Sequence, residues 1–504
     1  MLLLLTALAC VLAFITLRRR YSRSLPYPPT PPARFLLGNL RDLQDPQLRD
    51  RFHQLAKQYG GIFHLSALGN HTVVVNSLEV ANELFNQRSE VYSSRQENPM
   101  INLMGWGVLA ATFLPYGNTW RAHRRLYQQG FSSNVVRDAG HVVLTEKTNR
   151  FLDAVVRTPN DFRAHIELLV GAVVLKYIYG RDIDRSDDPM FAAAIRAAEA
   201  VLPAGLPGAW LVNSLPSLQR LPRWFPGCYF HDFTREIKQM SDDMVEQCYE
   251  DAVKDTENDS LVKRLEEYRA KHGESMPLAM AEGVCGTAFA AAAEATRTTL
   301  CAFFLLMREH PMIQRKALAE ITRVLGHNRL PEFSDRESLP YVQALYLEVM
   351  RWMPAAPFAF PHSSVSDDIY QGYFIPKGSV VIGNVWAMLN DEAKYPNPRV
   401  FNPERFLDAD GDLTDDTDVR AILAFGFGRR VCAGRHFADA LLWRVMASVI
   451  AAFDIGQPKG GEENAKVDLD DFFDQGIISH VAPFKCSIVP RTEEMAKVIA
   501  TQIL

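Results

Sequence analysis

The chain has 504 residues, 48% of them hydrophobic, which allows several domains or one large one and supplies ample apolar surface for a core. Its 54 basic and 59 acidic side chains leave a net charge of −5, which excludes a general nucleic-acid binder, since that needs a clear excess of Lys and Arg. Seven cysteines, an odd number thinly spread, exclude a disulfide scaffold, and Cys10, Cys285 and Cys301 read as reduced, buried thiols.

Residues 1–17 carry no charge and are rich in Leu, Ala, Val, Ile and Phe; Arg18, Arg19 and Arg20 follow at once. The run falls at the short end of the roughly 17–25 residues that span hydrocarbon as a helix. A cleaved signal peptide would carry its charges before the apolar run rather than after it, and a core helix fits poorly at the terminus. The expectation is a single-pass anchor over residues 1–20 with the bulk of the chain cytosolic. Residues 21–34 include Pro26-Tyr27-Pro28-Pro29-Thr30-Pro31-Pro32, whose fixed φ angles and missing donors make a stiff hinge that spaces a globular body from the bilayer.

Helical periodicity marks residues 47–59 and 78–86, and between them residues 62–65 and 72–76 read as two strands around Gly69-Asn70. Long helical patterns follow over 120–255 and 280–325. Residues 369–370, the Gln371-Gly372 turn, 373–375 and then 379–386 suggest a second group of strands. Residues 390–406 have turn composition, 457–464 read as an exposed loop and 477–490 as a final strand pair. The fold class is mainly α with small peripheral β-sheets, and no linker divides residues 35–504, so one large catalytic domain is expected there.

Phe425-Gly426-Phe427-Gly428-Arg429-Arg430-Val431-Cys432-Ala433-Gly434-Arg435 has the pattern F-x-x-G-x-R-x-C-x-G and runs into a helical stretch at 437–453. Gly428 and Gly434 permit turns and close approaches that a Cβ would block. Cys432 precedes a helix N-terminus, where the macrodipole and free N–H groups favour thiolate over thiol. Upstream, Glu348 and Arg351 stand three residues apart on one face of a helix, followed by Pro403-Glu404-Arg405-Phe406. Trp120 and Arg124 lie one turn apart, and His362 follows Pro361.

The cysteine segment resembles the haem-binding loop of the cytochrome P450 family, and the resemblance covers most of the chain. It implies a haem b (iron protoporphyrin IX) with Cys432 as the axial ligand of the iron, a ligation that favours O–O cleavage. It implies that Phe425 covers the sulfur, that Trp120, Arg124, His362 and Arg430 reach the haem propionates, and that Glu348, Arg351 and Arg405 form a buried structural network. The Pro-rich hinge, Pro340-Tyr341 and Phe374-Ile375-Pro376-Lys377-Gly378 look most like microsomal fungal members. These act as monooxygenases in the endoplasmic reticulum membrane, fed from NADPH by a membrane-bound reductase. Arg121, Arg124, Arg125, Arg429 and Arg435 would give that acidic partner a basic face.

One segment departs from the family. Where the helix over the haem normally reads [AG]-G-x-[DE]-T-[TS], this chain has Ala291-Ala292-Ala293-Glu294-Ala295-Thr296. Glu294 keeps the acid, but Ala292 replaces the Gly and Ala295 the Thr that helps deliver protons. Thr296 sits about 100° further round the helix and at most holds a water. Either water, Glu294 or a substrate hydroxyl supplies the protons of a competent monooxygenase, or the chain is a haem-thiolate isomerase, dehydratase or peroxygenase. Residues 100–111, Phe289, Ala290, Ala293, Pro357, Phe358, Ala359, Ile477 and Ile478 are expected to wall an apolar substrate pocket. A lipophilic substrate follows, with oxidation of a terpenoid or polyketide secondary metabolite first and detoxification of foreign lipophiles second. A haem sensor without turnover is the alternative outside the enzymes.

Overall fold

The computed structural model describes residues 25–503 apart from 36, 186–187, 205–208, 256, 274–275, 415–422 and 459–468. The expected anchor, Cys10, the start of the hinge and most of the expected loop at 457–464 lie outside the described residues.

Helix α1 (Leu48–Tyr59) buries Leu48, Phe52 and Leu55 at the i, i+4, i+7 spacing of an amphipathic helix and stops at Gly60, φ 86°. Strands β1 (Ile62–Ala67) and β2 (Asn70–Val75) then pair antiparallel, from Ile62 opposite Val75 to Ala67 opposite Asn70. Their two-residue turn is Leu68-Gly69, with φ of 50° and 84°, the left-handed pair that matches strand twist.

The helical body comprises α2 (Asn118–Phe131), α3 (His141–Arg157), α4 (Phe162–Tyr179), α5 (Pro189–Ala204), α6 (Phe230–Lys254), α7 (Leu261–His272), α8 (Leu278–Glu309), α9 (Pro311–Leu325), α10 (Pro340–Trp352), α11 (Arg435–Ala452) and α12 (Glu493–Thr501). Among the described residues α8 alone is long and apolar enough to cross a membrane, but 78% of that window is buried inside the protein. It is a core helix, apolar on nearly every side because α4, α6, α10 and α11 pack around it.

Strands β3 (His362–Ser363), β4 (Asp368–Tyr370), β5 (Tyr373–Ile375), β6 (Val380–Gly383), β7 (Phe453–Gly456) and β8 (Ser487–Pro490) complete three small sheets. The largest has the order β1-β2-β6-β3, with β6 parallel to β2. Three sequence expectations need correction here. The strand expected over 379–386 ends at Gly383, because the Asn384 side chain accepts from Ala387 N at 3.1 Å and starts a short helix holding Trp386. The pair expected within 477–490 does not form: β8 pairs with β7, whose first residue, Phe453, had read as the end of α11. Residues 477–479 instead turn inward, with Ser479 N donating to Ala355 O at 2.9 Å.

The described part of the proline segment lies along the sheets. Phe374 N donates to Pro26 O at 2.7 Å and His64 N to Pro29 O at 2.8 Å, while the Tyr27 ring stacks on His64 with centroids 4.7 Å apart. That stretch forms a strap on β1 and β5. Proline suits it because a strap that accepts hydrogen bonds loses nothing by lacking N–H groups.

Candidate active site

Between the Cys432 loop and α8 lies a cavity of about 340 Å³ with a mainly apolar lining. The loop's shape depends on Gly428: at φ 52° a Cβ there would fall 2.1 Å from Phe85 O, so only glycine lets this turn press against the residues before α2. Gly434, which lines the cavity, differs. A Cβ there would meet no protein atom within 4 Å, so crowding by protein is not why glycine stands there.

Cys432 lines the cavity and, among the described cysteines, is the exposed one; Cys285 and Cys301 are buried, as expected. Its N–H donates to Phe425 O at 2.9 Å, which places Phe425 beside it on the wall. The sulfur is open to the cavity yet enclosed by protein, and this burial pushes its pKa up. The Gly434 N–H and the charges of Arg124 and Arg435 pull it down without reversing the shift. The Gly434 N–H at the start of α11 thus acts in the expected direction, toward thiolate, against the opposing effect of burial, and a metal cation at the sulfur would add to it.

Cations gather on the same wall. Arg430 donates to Ser93 O (2.7 Å), Ala111 O (2.9 Å) and Leu114 O (2.7 Å), and lies 4.5 Å from the centre of the Trp120 ring. Arg95 donates to Thr112 O (2.9 Å), Phe360 O (2.8 Å) and Pro361 O (2.8 Å). Arg124 completes the group from α2. Burial lowers all three guanidinium pKa values, to about 9 for Arg95 and about 8 for Arg430, the latter also repelled by Arg95 and Arg124. Among the described residues no carboxylate pairs with any of them, so the cavity holds uncompensated positive charge that a dianionic ligand would relieve.

His362 also lines this wall, buried under Phe85, and its Nδ1–H donates to Tyr92 O at 2.7 Å. Burial and the two nearby arginines hold its pKa well below the usual value. The neutral ring presents Nε2 as an acceptor, so the expected donation to a carboxylate needs that ligand to bring a proton onto His362.

Behind the loop, Glu348 accepts from Arg351 (2.7 and 2.8 Å), Arg405 Nε (3.2 Å) and Asn402 N (2.8 Å). The expected network of Glu348, Arg351 and Arg405 is thus assembled, and it joins α10 to the turns before the cysteine loop.

On the α8 side, Ala291, Ala292, Glu294, Ala295 and Thr296 line the cavity. The helix runs through them as regular α-helix, and Thr299 Oγ1 donates back to Ala295 O at 2.9 Å. Glu294, 2% exposed, accepts at Oε2 from Arg297 (2.7 Å) and from His480 (2.9 Å). Burial pushes its pKa up, but the His480 bond and the Arg297 charge outweigh it and hold it a carboxylate.

Of the expected pocket walls, Trp106, Ala110, Ala111, Ala290, Ala359 and Ile478 line the cavity. Phe289 instead packs on Tyr179, Phe358 packs on Phe52, and Ala293 and Pro357 stay off the wall. Ile477 lines an adjoining cavity of about 90 Å³ that shares Arg95, Phe113, Phe360 and His362 with the main one. Of the expected basic face, Arg121 and Arg125 are exposed, while Arg124 turns into the cavity and Arg429 bonds the Tyr116 hydroxyl.

The family model for cytochrome P450 matches residues 28–477. Cytochrome P450 monooxygenase 208 of Postia placenta is 35% identical, over 98% of this chain and 96% of its own. A cytochrome P450 monooxygenase of Aspergillus oryzae is 35% identical over 97% and 93%, and tryptamine 4-monooxygenase of Psilocybe cyanescens 34% over 96% and 96%. The chain belongs to the cytochrome P450 family. This P450 is accordingly an oxidoreductase of the monooxygenase type, and membership implies a haem, whose iron activates oxygen when the group is bound. The residues present fit such a group. One wall offers a sulfur, unpaired cations and a glycine with open space beyond it, and the other is apolar. Two parts of the site escaped sequence reasoning. Arg95 sits in Ser93-Ser94-Arg95-Gln96 with no periodicity to flag it, and His480 lies far along the chain from Glu294.

Proposed function

We propose that this P450 inserts one oxygen atom from O2 into a lipophilic substrate, with haem b held by Cys432. The observation that carries the reading is the pairing, across one cavity, of a sulfur flanked by unpaired arginines with an apolar helix face bearing a single carboxylate. Arg95, Arg124 and Arg430 bind the propionates as cations, with Trp120 packed under Arg430 and His362 joining when protonated. Phe425 shields the sulfur, and Gly434 leaves room for the ring. Across the cavity Glu294 would hold a charge and Thr296 a water. Glu294 is the only carboxylate on the wall among the described residues and is already paired, which favours a neutral substrate over an amine such as tryptamine.

Electrons come from NADPH through a membrane-bound reductase that docks on the exposed arginines Arg121 and Arg125. Residues 1–20 anchor the chain in the endoplasmic reticulum membrane. In support, exposed Phe35 and Leu37 precede Asn39, whose N–H bonds Ser66 O of β1, and exposed Leu211 and Leu215 flank Ser214, whose carbonyl accepts from Asn70 at the β1–β2 turn. These apolar side chains share one end of the molecule with the proline strap. The fungal relatives support oxidation of a secondary metabolite. One observation, Ala295, favours a second reading as an isomerase or peroxygenase.

Cys432→Ser tests the ligand: the reduced, carbon-monoxide-bound protein should lose its thiolate-type spectrum. A variant that kept that spectrum would overturn the assignment. NADPH consumption with purified reductase, stimulated by lipophilic substrates, separates the monooxygenase from the second reading.

A further inference from the structure

The loop before β8 is folded tightly onto α8. Asp474 Oδ1 accepts the His480 N–H at 2.8 Å, closing a turn, and the Gln475 side chain donates to Asp50 at 2.7 Å, pinning that turn to α1. The His480 ring is thereby suspended between two carboxylates. Nδ1 lies 2.8 Å from Asp474 Oδ2 and Nε2 lies 2.9 Å from Glu294 Oε2. Both ring nitrogens face acceptors, so both carry hydrogen and the ring is an imidazolium. The two ends differ in hydration. The His480 side chain is 38% exposed, whereas that of Glu294 is 2% exposed. Glu294 lines the cavity, and its second oxygen, Oε1, is buried without any hydrogen-bond partner among the described residues. Arg297 is the other cation on Glu294, and Glu167 the further acid facing Arg297.

We propose that His480 carries protons from solvent into the cavity through Glu294, supplying the path that Ala295 removes by lacking a hydroxyl; this rests on the monooxygenase reading above. The Nε2–H bond of the imidazolium breaks as an Oε2–H bond forms, leaving neutral imidazole and a carboxylic acid. Rotation of the carboxyl turns the O–H to the cavity side, where Glu294 gives up the proton and returns to carboxylate. While the carboxyl is rotated away, water at the exposed His480 returns a proton to Nε2, with Asp474 holding the Nδ1–H throughout. One proton enters, one leaves, and no electrons move. His480 acts through Glu294 and is a positioning and relay residue. A merely structural ion pair would use the same contacts to hold Ile478 on the cavity wall, and the test must tell the two apart.

His480→Gln keeps a hydrogen bond to Glu294 but cannot relay. Oxidation of 7-ethoxycoumarin as probe is compared when driven by NADPH and reductase and when driven by iodosylbenzene, an oxygen-atom donor that needs no protons. The relay predicts that NADPH-driven turnover falls about tenfold or more, while iodosylbenzene-driven turnover and the carbon-monoxide spectrum stay within about twofold. Equal loss by both routes, or loss by neither, overturns it. A second readout needs no turnover. Magnetic resonance of the labelled histidines should show His480 losing its proton near pH 9 in the wild type and at lower pH in Glu294→Gln. A His480 that titrates identically in both proteins overturns the contact on which the relay depends. A wild type that oxidises the probe with iodosylbenzene but not with NADPH and reductase overturns the reading as an O2-activating monooxygenase, and the relay with it.

Discussion

Arg351 grips Glu348 through two hydrogen bonds, Nε to Oε2 at 2.7 Å and Nη2 to Oε1 at 2.8 Å, where the two side chains are 2% and 0% exposed. The same guanidinium donates to Leu389 O at 2.9 Å and Pro398 O at 2.7 Å, so one side chain joins α10 to two later turns. Glu348→Gln removes the charge and keeps the shape, stranding Arg351 and Arg405. A buried pair broken from one side typically costs about 3–5 kcal/mol. Chemical denaturation should register that loss, and the fraction of protein that retains haem should fall with it.

Arg95 sits against the same wall as Arg430 and His362 and donates only to carbonyls. Its charge is free for an anionic ligand, and a charge-assisted hydrogen bond contributes about 1.5–3 kcal/mol. Arg95→Gln should therefore lower haem retention by roughly tenfold or more, read as the haem-to-protein ratio after dialysis against a haem acceptor. Arg121→Gln, on the exposed face of α2, should leave that ratio unchanged.

Ala295 and Thr296 both line the cavity, but no hydroxyl stands at position 295. Ala295→Thr should raise product formed per NADPH consumed, most of all with poor substrates that leave the cavity wet. An unchanged ratio would count against the idea that coupling suffers from the missing hydroxyl.

The Asp474 and Glu294 bonds raise the pKa of His480 to about 9, against the opposing effect of burial. A raised folded-state value means that the stabilisation is fully present below the unfolded pKa of about 6.5 and is lost as pH climbs through about 9. Since the ring is 38% exposed, solvent screening reduces the effect to about 1 kcal/mol. Unfolding free energies of wild type and His480→Gln measured across that window should converge towards pH 9.

What could be read in the sequence was chemistry packed into short segments. Cys432, Gly428 and Arg430 are neighbours in the chain and remain neighbours in space. Glu348 with Arg351, and Trp120 with Arg124, share helical faces by spacing alone. These motifs therefore announced the cysteine wall, the buried network and the mainly helical class. Residues 477–490 read as a strand pair, but the true partner of strand 487–490 was not legible, because pairing with 453–456 is a matter of chain closure rather than composition.

The primary structure by itself determined that a cysteine, arginines and an acid stand in segments that resemble the motifs of the P450 family. Only the folded chain decided what surrounds each one. Glu294 meets His480 across 186 residues of chain, and Arg95 meets Phe360 O across 265. Periodicity and spacing report local geometry, whereas such contacts arise when packing brings distant segments together. The fold thus pairs the acid of α8 with a solvent-facing histidine, leaves three arginines around the cavity without a carboxylate partner among the described residues, and sets Cys432 on the wall facing them.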